Sequence, residues 1–203
     1  MHNRAPRCAS RFAALALITV TLSISSSGCA LFRLAGATVG NERPVEEKSE
    51  LYRVADLSKQ SKEWMKLESG SGDSTRTDVS DVAYQSRRNA SIISLNSACR
   101  KGADDDSDDK REDLKKLSSR LFLGLTDITF HNERGLTVQG EDALETTIQG
   151  KLNGHDEGEE MLLRSVVLRK GACVYDLMYM ARPKHFGTNE KDFAHFVDSL
   201  RFK

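Results

Sequence analysis

Alternation of apolar and polar positions dominates the second half of this chain. Leu144, Thr146, Ile148, Gly150 and Leu152 alternate with Glu145, Thr147, Gln149 and Lys151, which is the period of a strand with one covered face. Ile128 and Phe130 point one way ahead of it, and Met161 to Arg169 and Cys173 to Ala181 follow as two more strands. Asn153 to Gly158 and Lys170-Gly171 supply the turn residues of hairpins between them. An earlier hairpin is predicted from Val82 to Arg87 and Ser91 to Ala98, joined around Arg88-Asn89-Ala90. Leu114, Leu117 and Leu121 have helical spacing behind the acidic run Asp104-Asp105-Asp106-Ser107-Asp108-Asp109. Acids at a first turn complement the helix dipole and supply capping oxygens. Phe193, Phe196, Val197 and Leu200 form the stripe of a final packed helix, with Asn189 as its expected cap and Asp192 in its first turn. Leu51 to Leu67 is only partly periodic and predicts a short strand or helix, while Glu68 to Ser80 is rich in Ser, Gly, Asp and Thr and predicts a loop.

A hairpin, a helix, several antiparallel strands and a terminal helix predict an α+β fold: an antiparallel sheet with an internal helix and a C-terminal helix packed on it. This succession, with the closing Phe193 to Phe202 segment "FAHFVDSLRF", resembles the α-β-α sandwich of the PsbP family and its bacterial lipoprotein relatives over Trp64 to Phe202. The resemblance implies a fold and a set of photosystem subunits, lipoproteins and interaction modules; it implies no catalytic residue.

The N-terminus has a different pattern. Arg4, Arg7 and Arg11 precede an apolar stretch from Phe12 to Leu22, and Ser26-Ser27-Gly28-Cys29 closes it. The apolar run falls short of the roughly 20 residues that span a bilayer, so residues 1–28 read as a signal peptide. Gly28-Cys29 resembles the bacterial lipobox, although Ser26 stands where that pattern usually has Leu. The resemblance implies a diacylglyceryl thioether on Cys29, and Ala30 in place of a retention Asp implies sorting to the periplasmic face of the outer membrane. Residues 29–50 contain Gly36, Gly40 and Pro44 without sustained period and read as a tether. A flexible coil of that length spans on the order of 25 Å. The remaining 51–203 are expected to form a single periplasmic domain.

Charge and cysteines refine this picture. The chain carries 30 basic and 30 acidic residues, and removing three signal arginines leaves 27 against 30, a net charge of −3. No strongly basic stretch or nucleic-acid motif is present, which argues against a nucleic-acid partner. Of four cysteines, Cys8 lies in the signal and Cys29 is assigned to lipid. Cys99 and Cys173 are left as expected disulfide partners in an oxidising envelope; the alternative is a pair of buried thiols.

Candidate chemistry is sparse. Asp104, Asp106 and Asp108 alternate as calcium ligands do, but an EF-hand loop needs Gly at its sixth position and Glu at its twelfth, and these are Asp109 and Lys115. His131, His155, His185 and His195 are scattered, with neither HExxH nor CxxC spacing, so no metal or cofactor is expected. Asp176 is expected on one face with Val174, Met178 and Met180, either buried as a site or paired with Arg164 or Arg169 across a hairpin. Tyr175, Asp176, Met178, Tyr179 and Met180 are the candidates for a ligand groove, with core packing as the alternative. The expectation is a non-enzymatic lipoprotein that binds another envelope protein as an accessory subunit of an assembly or transport system. A carrier of lipid or a small apolar ligand is the alternative, and an envelope enzyme the third reading.

Overall fold

The computed structural model describes residues 50–67, 80–99, 110–152 and 158–203. Its elements in order are β1 (Tyr52–Arg53), α1 (Leu57–Gln60), β2 (Trp64–Leu67), β3 (Val82–Ser86), β4 (Ile92–Cys99), α2 (Lys110–Leu121), β5 (Leu125–Val138), β6 (Glu141–Leu152), β7 (Glu159–Lys170), β8 (Cys173–Ala181), α3 (Pro183–Asp198) and β9 (Arg201–Phe202). Cys29, most of the tether, residues 68–79, the acidic run and His155 lie outside the described residues.

Seven strands form one sheet in the order β2-β3-β4-β8-β7-β6-β5, and β1 pairs separately with β9. Every neighbouring pair is antiparallel. The fold is therefore α+β, as the pattern predicts, with α3 over one face and α2 over the other. Along β8 the alternation splits cleanly. Tyr175, Leu177, Tyr179 and Ala181 join the core beneath α3, where Phe186, Phe193, Phe196, Val197 and Leu200 meet them. Met178 and Met180 join the core beneath α2, with Leu114, Leu121, Ile148, Leu163 and Val167. Central strand β4 is buried at all eight positions because helices cover both faces.

The β3–β4 hairpin forms where expected, with Gln85 opposite Ile92. Its turn is built by Ser86, whose Oγ accepts from the Arg88 and Asn89 amides at 3.2 and 3.3 Å. Ala90 closes the turn at φ 57°.

Helix α3 begins six residues before the expected cap. Pro183 opens it, with the fixed φ and missing amide that suit a first helical turn. Asn189 sits inside the helix instead, buried, where its Oδ1 accepts from Asn89 Nδ2 at 2.8 Å and Ser91 Oγ at 3.0 Å. The earlier start brings Phe186 onto Tyr179, ring centroids 4.7 Å apart.

Strand β5 is far longer than the two positions Ile128 and Phe130 indicate. It runs 14 residues along the sheet edge, and every position from Thr126 to Gly135 is exposed. Its pairing with β6 shifts between Thr126 and Phe130, and Asp127 takes φ 48° there. Gly150 of β6 lies under this bulge: a Cβ on it would come within 2.8 Å of the Thr126 carbonyl oxygen and of Ile128 Cδ1. The missing side chain is what lets β5 cross so closely.

Candidate functional site

The five expected groove residues do not share one surface. Tyr175 and Tyr179 face α3, whereas Asp176, Met178 and Met180 face the α2 side, and all five are buried. Tyr175 is held between the rings of Tyr52 and Phe202, at 5.8 and 5.0 Å. The Tyr179 hydroxyl donates to the Phe186 carbonyl at 2.6 Å, and burial pushes its pKa up to about 12.

Asp176 stands opposite Asn96 on β4 and Val167 on β7. It is 2% exposed. Ser165 Oγ donates to its Oδ1 at 3.1 Å, and Oδ2 has no hydrogen-bond partner among the described residues. Burial drives its pKa up to about 7, against the smaller opposing effect of the Ser165 hydrogen bond. Neither expected arginine reaches it. Arg164 points to the other face, bonded to Glu190 at 2.6 Å and lying 5.2 Å from the Phe186 ring centre. Arg169 shares the face of Asp176 but pairs with Asp113 at 3.6 Å. Alternation places Asp176 correctly; of its two diagonal neighbours on β7, Ser165 bonds it while Arg169 turns to Asp113.

A concave surface among the described residues lies elsewhere. A cleft of about 510 Å³ opens between the β3–β4 turn and the start of α3, lined among others by Met65, Arg87, Arg88, Asn89, Arg182 and His185. One wall is clamped to α3 by the Asn89–Asn189 hydrogen bond. Arg88 is held by the mostly buried Glu63 at 2.6 Å, and Arg182 is bonded to Glu159. Arg87 is exposed and has no carboxylate partner among the described residues. Arg182 is also the N-cap of α3 and makes no side-chain capping bond, so the positive end of a 16-residue helix adds to the arginines. Planar guanidinium groups in such a setting suit carboxylate or phosphate oxygens, which they bind in pairs.

In fold, the chain is similar to LpqN. That Mycobacterium tuberculosis protein, involved in cell envelope biogenesis, is 15% identical with a TM-score of 0.51, over 75% of this chain and 83% of its own. Cyanobacterial PsbP (CyanoP) from Synechocystis is 8% identical over 76% of this chain and 94% of its own, with a TM-score of 0.44. A Pseudomonas aeruginosa protein of unknown function is 14% identical over 68% and 81%, with a TM-score of 0.42. No family model and no curated protein matches the chain.

The arginines of the cleft come from separate segments, so no single stretch of sequence announces it. The signal was local and weak: Arg87-Arg88 in a hairpin turn, and Arg182 beside the proline that opens a helix. The remaining histidines do not gather. His131 lies 3.3 Å from Glu133 on β5, and His195 is exposed on α3. Among the described residues no three His, Cys, Asp or Glu side chains are grouped to hold a metal. Cys99 and Cys173 are joined, directly opposite one another at the end of the β4–β8 pairing. No helix among the described residues is long and apolar enough to cross a membrane.

Proposed function

We propose that the protein is a non-enzymatic binding or accessory module of the bacterial envelope, held at the periplasmic face of the outer membrane through lipid on Cys29, and that it meets its partner at the arginine-lined cleft. The cleft carries this reading: it is concave, cationic and rigidly backed, and Arg87 has no carboxylate to neutralise it among the described residues. Its position supports the same conclusion. The described chain starts at β1, which pairs with β9 just past the C-terminal end of α3, whereas the cleft adjoins the N-terminal end. A helix of 16 residues is about 24 Å long, so residue 50 and the cleft lie toward opposite ends of α3, which suits a cleft that meets a partner on a tethered domain. The Cys99–Cys173 bridge suits an oxidising compartment, and the similar fold of LpqN belongs to a protein of envelope biogenesis. The partner surface expected is acidic.

Crosslinking in native membranes, followed by purification of the full-length protein, tests the reading. A defined envelope component is expected with the wild type and is lost with Arg87→Glu, a substitution at an exposed side chain. Cys29→Ser is expected to move the protein out of the detergent phase. Recovery of the protein alone with bound lipid overturns the reading in favour of the carrier.

A further inference from the structure

Edge strands of soluble proteins are normally kept short, or blunted by lysines, prolines or bulges, because their outward amides and carbonyls pair readily with another strand. The two edges of this sheet differ. β2 has four residues. β5 has 14, and beyond its bulge the stretch from Phe130 to Val138 is regularly paired to β6 and contains neither lysine nor proline. Among the described residues no strand lies on its outer side. Phe130 and Ile128 are 48% and 47% exposed beside that edge.

The residues along β5 read the same way against their own reverse. When two copies of a strand pair antiparallel about a two-fold axis perpendicular to the sheet, directly opposite residues share a face, and the axis passes through one residue. With the axis at Asn132, His131 stands opposite Glu133 of the other copy, and Arg134 opposite Phe130. The imidazole can donate to the carboxylate, which within one chain already lies 3.3 Å from His131 by one oxygen and 3.6 Å from Lys115 of α2 by the other. Arg134 is pinned to Glu145 by two hydrogen bonds of 2.7 and 3.1 Å, which leaves the flat faces of its guanidinium free to stack on the incoming ring. Leu136 then meets the bulged Ile128. Neighbouring registers do worse. An axis at Glu133 or at Arg134 sets that charge against itself, and an axis at His131 leaves Glu133 facing Thr129 and Arg134 facing Ile128.

We infer that the free edge of β5 is a self-association surface, on which a second copy of this chain adds its own β5 antiparallel with Asn132 at the axis, so that the two sheets join edge to edge.

The mature lipidated protein in native membranes gives the test. Asn132→Cys places a thiol opposite its own copy, and a short bismaleimide is expected to convert it to a covalent dimer; Thr137→Cys, which would face Asp127, is expected to crosslink poorly. In detergent, light scattering on the wild type is expected to show twice the protein mass. Glu133→Lys is expected to weaken association about tenfold, since both symmetric hydrogen bonds from His131 lose their acceptor, and His131→Glu with Glu133→Lys to restore it. The rescue separates lost pairing from lost folding. A monomeric mass at tens of micromolar overturns the inference, as does equal crosslinking at residues 132 and 137, or association unchanged by Glu133→Lys. Slow hydrogen exchange along β5 in a species of monomer mass also overturns it, because another segment of the same chain would then hold the edge.

Discussion

Replacing Asp176 with asparagine should stabilise the protein, and only above acidic pH. The carboxyl is 2% exposed, receives one hydrogen bond from Ser165, and has its pKa raised by burial from 3.8 to about 7. Below pH 4 both the folded and unfolded chains hold the proton, so the group contributes no penalty. Between pH 4 and 7 the unfolded chain gives up its proton while the folded one keeps it, and stability falls as pH rises. Above pH 7 the folded protein carries a buried carboxylate and the loss is complete. At 1.36 kcal/mol for each pH unit of displacement, that loss is about 4 kcal/mol. An asparagine amide has the same shape, accepts the same Ser165 hydrogen bond and never ionises. Urea denaturation of wild type and Asp176→Asn at pH 4, 6 and 8 measures the difference. The two proteins should be nearly matched at pH 4, and Asp176→Asn should be ahead by about 4 kcal/mol at pH 8. A difference that stays flat from pH 4 to 8, or a variant that is weaker at pH 8, refutes the reasoning.

Three further substitutions probe the scaffold. Reducing the Cys99–Cys173 bridge, which closes a separation of 74 residues, should cost about 4 kcal/mol by loop entropy; comparing denaturant midpoints of oxidised protein and the double serine variant checks it. Gly150→Ala should cost roughly 1–3 kcal/mol, because the added methyl meets the Thr126 carbonyl and Ile128. Hydrogen exchange should show the loss as faster opening of β5 around its bulge, ahead of the central strands. Phe196→Ala should cost about 3–5 kcal/mol, since Phe196 is wholly buried against Tyr84; a drop in melting temperature of under a few degrees would show that α3 is not the main cover of that face.

Much of the framework was legible wherever one period ruled a segment. The alternation from Leu144 to Leu152, the β3–β4 hairpin around Arg88-Asn89-Ala90, and the stripe of Phe193, Phe196 and Val197 all correspond to observed elements. Errors arose where a residue had two uses. Asn189 is a good cap by type, but Pro183 upstream and the waiting partners Asn89 and Ser91 draw it into the helix interior. Only Ile128 and Phe130 hint at β5, because an edge strand that is exposed on both faces carries no alternation. Its length follows instead from its partner β6, which offers pairing from Glu141 to Leu152. For the same reason the candidate cleft was illegible: Arg87 and Arg182 stand 95 positions apart in the chain, and no local rule announces that β4, β8 and α3 bring their ends together. Asp176 was visible as an acid on an apolar face, whereas its hydroxyl partner depended on the diagonal register of β7.

The short β1–β9 pairing determines how this protein would respond to tension. Two residue pairs, Tyr52 with Phe202 and Arg53 with Arg201, and the Lys203 amide bonded to Leu51, are the first backbone contacts that a pull from residue 50 would meet. Behind them the Tyr52 hydroxyl donates to Asp81 at 3.0 Å, and the disulfide locks β4 to β8. A load applied between residue 50 and the rest of the domain would therefore peel the clasp before it sheared the sheet. Releasing residues 50–56 would add about 20 Å of reach, a compliant joint that yields while the sheet behind it stays whole.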